Sequence, residues 1–147
     1  MTRVSEPAPD PVSRLDEALL EALRPLLPAN GRYALLEFPH YHNAGDSAIW
    51  AGSRAAFARL GAPLPAYVAT IHTYRREDLR TLVGDGAIFL QGGGSFGDLW
   101  PDLQTFREQV ARDFPDRPII QLPQTIFFRH AANLAAARDV LRAHPRY

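Results

Sequence analysis

The sequence predicts an α/β fold, a parallel sheet with helices on both faces, and three observations carry that expectation. Short apolar runs recur four times, each is followed by a segment of helical spacing, and the polar, glycine-bearing breaks fall after the runs. Strands alternating with helices give a parallel sheet, because each crossover helix returns the chain to begin the next strand in the same direction. A length of 147 residues suits about one domain, and 46% hydrophobic with 22% charged residues suits a folded, non-membrane chain.

Residues 1–12, with three prolines among polar residues, are expected to form a flexible tail, leaving residues 13–147 as the domain. Ser13 is placed to cap a helix running to about Leu27, on which Leu15, Ala18, Leu19, Ala22, Leu23 and Leu26 form one apolar stripe. Pro25 and Pro28 hasten its end, and Asn30-Gly31 makes a turn. Tyr33 to Phe38 is the first strand; Asp46 can cap a helix from Ser47 to Leu60, with Gly61 just past its end. Ala66 to Ile71 is the second strand, followed by a short helix around Arg75 to Val83. Ala87 to Gln91 is the third, with a helix from about Asp102 to Phe114 after it. Pro118 to Leu122 is the fourth, followed by a helix from about His130 to Ala143. The resulting layering is Rossmann-like. His144 to Tyr147 stand where a further strand is expected to begin, so the chain reads as the N-terminal part of something longer, since a parallel sheet needs more strands to protect its edges.

Composition narrows the function. The 16 basic and 16 acidic side chains cancel, so the positive field that nucleic acid or an anionic membrane requires is missing. With no cysteine there is neither a disulfide framework nor thiolate chemistry. No apolar run approaches the roughly 20 residues of a transmembrane segment, and the N-terminus has no apolar signal core, which makes the cytoplasm the expected location. An exposed domain face or sheet edge is expected to support association.

Three strand ends carry unusual polar residues and are expected to open on one edge of the sheet: Pro39 to Asp46, Gly92 to Asp98, and Gln121 to Thr125. Polar loops converging at the carboxyl ends of parallel strands make a cleft. A triple glycine at Gly92-Gly93-Gly94 implies positive φ, or bare backbone close to something. Gly92, Gly94 and Gly97 match G-x-G-x-x-G, but the match does not sit on the first strand and is followed by Asp98, so it weighs against pyrophosphate and for an uncharged polar ligand, with a structural turn as the plainer alternative. His40, His42 and Asp46 lack a fourth ligand at a recognisable spacing, and no metal site is expected. His42 or Asp46 can orient or deprotonate a hydroxyl, while Asp46 has a purely structural role open to it as a cap. Trp50 is expected in the core; Trp100 either offers a platform to a sugar face or closes a loop onto its own domain.

Asn43-Ala44-Gly45-Asp46 with Ser47 to Trp50, then Gly92-Gly93-Gly94-Ser95-Phe96-Gly97-Asp98-Leu99-Trp100, then Gln121-Leu122-Pro123-Gln124-Thr125 resemble three ordered motifs of the polysaccharide pyruvyl transferases, particularly members acting on bacterial exopolysaccharides. The resemblance covers about residues 33 to 130. It implies a transferase with two Rossmann-like domains, similar to the GT-B glycosyltransferases, moving a pyruvyl group from phosphoenolpyruvate onto two hydroxyls of a sugar. It implies no resident cofactor, and places the donor-associated Arg and His residues in a second domain. His42 and Asp46 are then the expected catalytic residues, and Asn43, Gly45, Gly92, Gly93, Gly94, Ser95, Asp98, Gln121 and Gln124 the expected binding residues for a sugar or glycan. Two alternatives stay open: a silent binding or assembly module descended from that family, and a nucleotide-binding α/β domain.

Overall fold

The computed structural model describes residues 10–147. In chain order the elements are α1 (Pro11–Leu23), β1 (Tyr33–Leu36), α2 (Ala44–Arg59), β2 (Tyr67–Ala69), α3 (Arg76–Val83), β3 (Ala87–Leu90), β4 (Gly93–Gly97), α4 (Pro101–Asp113), β5 (Ile119–Gln121), β6 (Gln124–Phe127) and α5 (Ala131–Ala143). Four of the strands form an all-parallel sheet in the order β2-β1-β3-β5. β4 and β6 pair, also in parallel, as a separate two-stranded ribbon.

Every residue of β1 and β3 is buried, as expected of central strands covered on both faces. Side chains alternate across the sheet. On one face Ala34, Leu36, Ile88, Leu90 and Ile119 pack against Leu79 and Val83 of α3 and Phe106 and Val110 of α4. On the other, Tyr33, Leu35, Ala87 and Phe89 meet Leu23 of α1 and Trp50 and Phe57 of α2. Phe89 takes the edges of Tyr33 and Phe57 at centroid separations of 5.6 and 4.9 Å. Each such large apolar side chain contributes about 1.5–3 kcal/mol on burial, so this central layer anchors the fold. At the end of α2, Gly61 adopts φ +76°, and the bonds from Ala62 N to Phe57 O and from Gly61 N to Ala58 O close the helix. None of the helices among the described residues is long and apolar enough to cross a membrane.

Several boundaries move. Residues 1–9 of the expected tail lie outside the described residues, whereas Asp10 to Val12 belong to α1. Asp10, not Ser13, caps that helix, accepting from the backbone N–H groups of Val12 and Ser13. Pro11 fits the first helical position because its missing N–H would have no partner there. Leu15 and Leu26 of the expected stripe are exposed, and Pro25 tightens the chain into a 3₁₀ turn over Arg24–Leu26. Asn43, not Asp46, caps α2, which begins at Ala44. Beyond β5, Ile119 N donates to the carbonyl of Arg146 at 3.0 Å, while β2 leaves the opposite edge of the sheet open.

The glycine-rich segment is the largest departure. It is a strand, not a loop. Glycine and polar residues are poor strand formers, so β4 and β6 escape a reading based on apolar runs. Close backbone approach explains two of the glycines and positive φ a third. A Cβ on Gly97, whose φ is +126°, would overlap the carbonyl of Phe127; one on Gly92 would lie 2.5 Å from the carbonyl oxygen of Pro123; and Gly93 has φ +128°. Gly94 differs, with ordinary φ and nothing within 4 Å of the place its Cβ would occupy. Gly97→Ala is therefore expected to cost about 3 kcal/mol or more, and Gly94→Ala to stay within about 0.5 kcal/mol of the parent. Thermal melts of the two variants check this; equal losses would contradict the assignment of Gly97 to the ribbon contact.

Candidate functional site

β2 lies on one side of β1, and the chain then crosses over to place β3 on the other. The connections leaving β1 and β3 diverge at that point, and the crevice between them is where open α/β sheets bind ligands. A cavity of about 550 Å³ lies there. Tyr41, His42, Asn43 and Asp46 line it from the β1–α2 connection, Gly94 and Ser95 from β4, and Trp100 to Leu103 from the start of α4. A roomier depression of about 880 Å³ near Pro25, Pro118, Ile119 and Tyr147 gathers mostly prolines and aliphatic chains, and of the three polar strand ends it takes Gln121 alone among the described residues.

Asp46 is fixed at the third residue of α2. The Asn43 side chain accepts from Gly45 N at 2.9 Å and Asp46 N at 3.3 Å, and its amide donates back to Asp46 Oδ2 at 2.8 Å. The Tyr41 hydroxyl donates to the same oxygen at 2.9 Å. Burial, and then that bond, push the Tyr41 hydroxyl up to about 12, which keeps it a donor. Asp46 lines the cavity with its Oδ2 held by Tyr41 and Asn43; among the described residues Oδ1, which lies beside Gly93, receives no hydrogen bond. His42 is an exposed wall residue. Trp100, far from closing onto its own domain, is 59% exposed at the rim.

Beneath these residues lies a buried ion pair. Glu37 follows β1 at φ +65°, the one non-glycine residue with positive φ among the described residues, and is 6% exposed. Such a conformation costs a branched or long side chain energy and persists only where surrounding structure imposes it. Arg107 of α4, 1% exposed, brings Nη2 to 2.8 Å from Glu37 Oε1. Its directed hydrogen bonds go to Ser95: Nη1 donates to the carbonyl at 2.8 Å and Nη2 to Oγ at 2.7 Å. Cζ also sits 5.4 Å from the centre of the Phe96 ring. Neither Glu37 nor Arg107 is obvious in sequence, because Glu37 sits inside a strand pattern. Arg107 did leave one signal, a charge within the apolar spacing Leu103, Phe106, Val110.

The other expected binding residues brace the site, together with Gln91, which the sequence places only at the end of a strand. Gln91 Nε2 donates to the Asp46 carbonyl at 3.0 Å; Gln121 and Gln124 both donate to the Gln91 carbonyl, at 2.7 and 3.0 Å; and Gln124 Oε1 accepts from Ser95 N at 3.2 Å. Gly45 lies in the first turn of α2, and Gly92 sits against Pro123. Asp98 accepts from Arg129 N at 2.6 Å, His130 N at 2.9 Å and Asn133 Nδ2 at 3.0 Å, standing in for a cap at the start of α5. Those bonds, that from Arg129 first, hold its carboxyl down to about 2. The G-x-G-x-x-G match opens into β4 rather than a helix, so it lacks the N-terminal helix dipole that receives a pyrophosphate.

The cavity thus opens at the switch point of a parallel α/β sheet, with the Asp46 carboxylate and the exposed indole of Trp100 among its lining. The chain belongs to the polysaccharide pyruvyl transferase family, whose sequence model matches residues 43–145. It is 33% identical over 119 residues to Pyruvyl transferase 1 of Schizosaccharomyces pombe, covering 78% of this chain and 30% of that protein. It is 30% identical over 128 residues to EpsO of Bacillus subtilis, itself named a pyruvyl transferase only provisionally, covering 85% of this chain and 38% of that one. The chain thus spans about a third of the length of these relatives.

Glu37 makes a pH dependence testable. Burial pushes its carboxyl up to about 7 against the pull of Arg107, from an ordinary value of 4.5. Between those two values the folded state keeps a proton that the unfolded state has released, so this group's contribution to stability falls as pH rises through the window and is level above it. Glu37→Gln is expected to remove that slope, on the order of 3 kcal/mol in total. Urea unfolding of both proteins at several pH values between about 5 and 8 checks it; parallel curves would contradict the buried, proton-holding Glu37.

Proposed function

We propose that this chain forms the acceptor-side domain of a polysaccharide pyruvyl transferase that uses phosphoenolpyruvate to place a pyruvyl ketal on a sugar of a bacterial exopolysaccharide or cell-surface glycan. In that reaction the central carbon of the enol gains bonds to two sugar oxygens and loses its bond to the phosphate oxygen. One hydroxyl proton ends on the methylene carbon, making it a methyl group, and the other leaves with inorganic phosphate. A base is needed at the hydroxyls. The observation that carries this reading is Asp46, a carboxylate lining the cavity that Trp100 also lines, with Oδ2 anchored by Tyr41 and Asn43 and, among the described residues, no hydrogen bond to Oδ1. Membership of the family supports it, and so does an exposed aromatic ring suited to an apolar sugar face.

Among the described residues no Arg or Lys lines the cavity. The donor's phosphate and carboxylate would then be held by cations beyond this cleft, in a GT-B-like second Rossmann-type domain. That absence is also the observation favouring a second reading, a glycan-binding module without its own chemistry.

Asp46→Asn separates the two. Asn43 caps α2, so the swap keeps the cap and is expected to change stability by no more than about 1 kcal/mol, the scale of a charge at a helix N-terminus. Pyruvyl transfer, followed as inorganic phosphate released and pyruvate bound to glycan, is expected to fall about 10²- to 10⁴-fold. Near-parental turnover would leave Asp46 only its helix-start role. Glycan binding with no phosphate release from the parent protein would favour the binding module.

A further inference from the structure

Ser95 is engaged on almost every side. Its N–H donates to Gln124, its carbonyl accepts from Arg107 Nη1, and its hydroxyl oxygen accepts from Arg107 Nη2. Among the described residues the hydroxyl proton has no acceptor, and Ser95 lines the cavity. We propose that Ser95 is a one-way hydrogen-bond donor to an uncharged ligand oxygen in this cavity, with Arg107 as the positioning residue that fixes its polarity.

A serine hydroxyl has one proton and two lone pairs, and a guanidinium has only donors. With Arg107 donating to Oγ, the proton must point elsewhere, and the direction left to it is the cavity. A bond from a cation also draws electron density from Oγ, which makes the O–H a better donor and the oxygen a poorer nucleophile or base. Arg107 has little freedom to turn away, being buried between Glu37 and the Phe96 ring and tied twice to one residue.

The surroundings select the ligand. Asp46 and Asp102 line the same cavity and, among the described residues, no Arg or Lys does; the cation next to Ser95, Arg107, is buried behind it against Glu37, so a carboxylate or phosphate entering the cavity meets the two acids first. A polyhydroxyl compound meets no such repulsion. One of its hydroxyls donates to Asp46 Oδ1 while another of its oxygens accepts from Ser95. This rests on the acceptor-side reading and specifies it: at one position on the sugar, the oxygen's lone pairs are recognised and its proton is not.

Fluorine accepts hydrogen bonds weakly and cannot donate them, so deoxyfluoro sugars read this polarity. Neutral methyl hexopyranosides, their monodeoxyfluoro and monodeoxy analogues, and phosphoenolpyruvate as an anionic control are titrated into the full 147-residue chain by NMR. At one ring position the fluoro analogue is expected to bind within about threefold of the parent sugar and the deoxy analogue about tenfold more weakly. Ser95→Ala is expected to erase that difference and Ser95→Thr to restore it. Arg107→Lys, if folded, is expected to behave as Ser95→Ala does; if it does not fold, the Ser95 pair decides. Sugar binding unchanged by Ser95→Ala overturns the inference and leaves the acceptor-side reading standing. A folded Arg107→Lys with lowered melting temperature but parental affinity overturns the positioning role. Failure of every glycoside to bind overturns both readings together, and Ser95-dependent binding of phosphoenolpyruvate overturns the uncharged ligand.

Discussion

Arg107 sits inside the domain 2.8 Å from the Glu37 carboxyl, and most of what distinguishes this fold from a plain parallel sheet follows from accommodating that pair. Taking a charge out of water costs several kcal/mol, so a buried guanidinium needs both a counter-charge and acceptors for its N–H groups. Glu37 supplies the first once pH exceeds the raised value of its carboxyl, from a left-handed backbone conformation at the end of β1. Ser95 supplies the second with two oxygens of one residue, and so draws β4 onto α4. A strained strand end, a glycine ribbon and a helix otherwise built for core packing are joined at one point.

That junction lies directly under the cleft. The cavity-lining layer, exposed Tyr41, His42 and Asn43 with half-buried Asp46 and Ser95, takes its geometry from below. Gln91 ties the start of α2 to the end of β3, Gln121 and Gln124 tie the end of β5 and the start of β6 to Gln91, and Asp98 secures α5. The polar residues at the strand ends therefore divide into a group that faces the cavity and a larger group that keeps the first in place.

The sequence reveals much of this, for identifiable reasons. The four sheet strands and their helices are legible because burial on both faces demands continuous apolar runs, and those runs survive in the chain. Gly61 is legible because a helix end needs φ > 0. β4 and β6 are not, because glycine and glutamine carry no strand signal and their pairing is imposed by the Arg107 contact and the approach of Phe127. The sequence points to a cap of α2 three residues late because Asn43 and Asp46 are both good capping residues, and only the backbone decides which one stands outside the helix. Trp100 is ambiguous in sequence for a similar reason: nothing local says whether an aromatic after a loop folds in or stays at a rim. Of the expected site residues, His42, Asn43, Asp46, Gly94 and Ser95 meet around one cavity, while Gly92, Gln121, Gln124 and Asp98 are held in contacts that build it.

The dependence of the cleft on the buried pair is open to one direct measurement, a double-mutant cycle on Glu37→Gln and Arg107→Met. Unfolding free energy and amide hydrogen exchange at Ser95 to Gly97 are read on all four proteins. A coupling of about 2–3 kcal/mol is expected, together with faster exchange at those amides in both proteins that lack Arg107. Additive losses, with parental protection of Ser95 to Gly97 when Arg107 is gone, would show that the ribbon and the cleft above it stand without the pair.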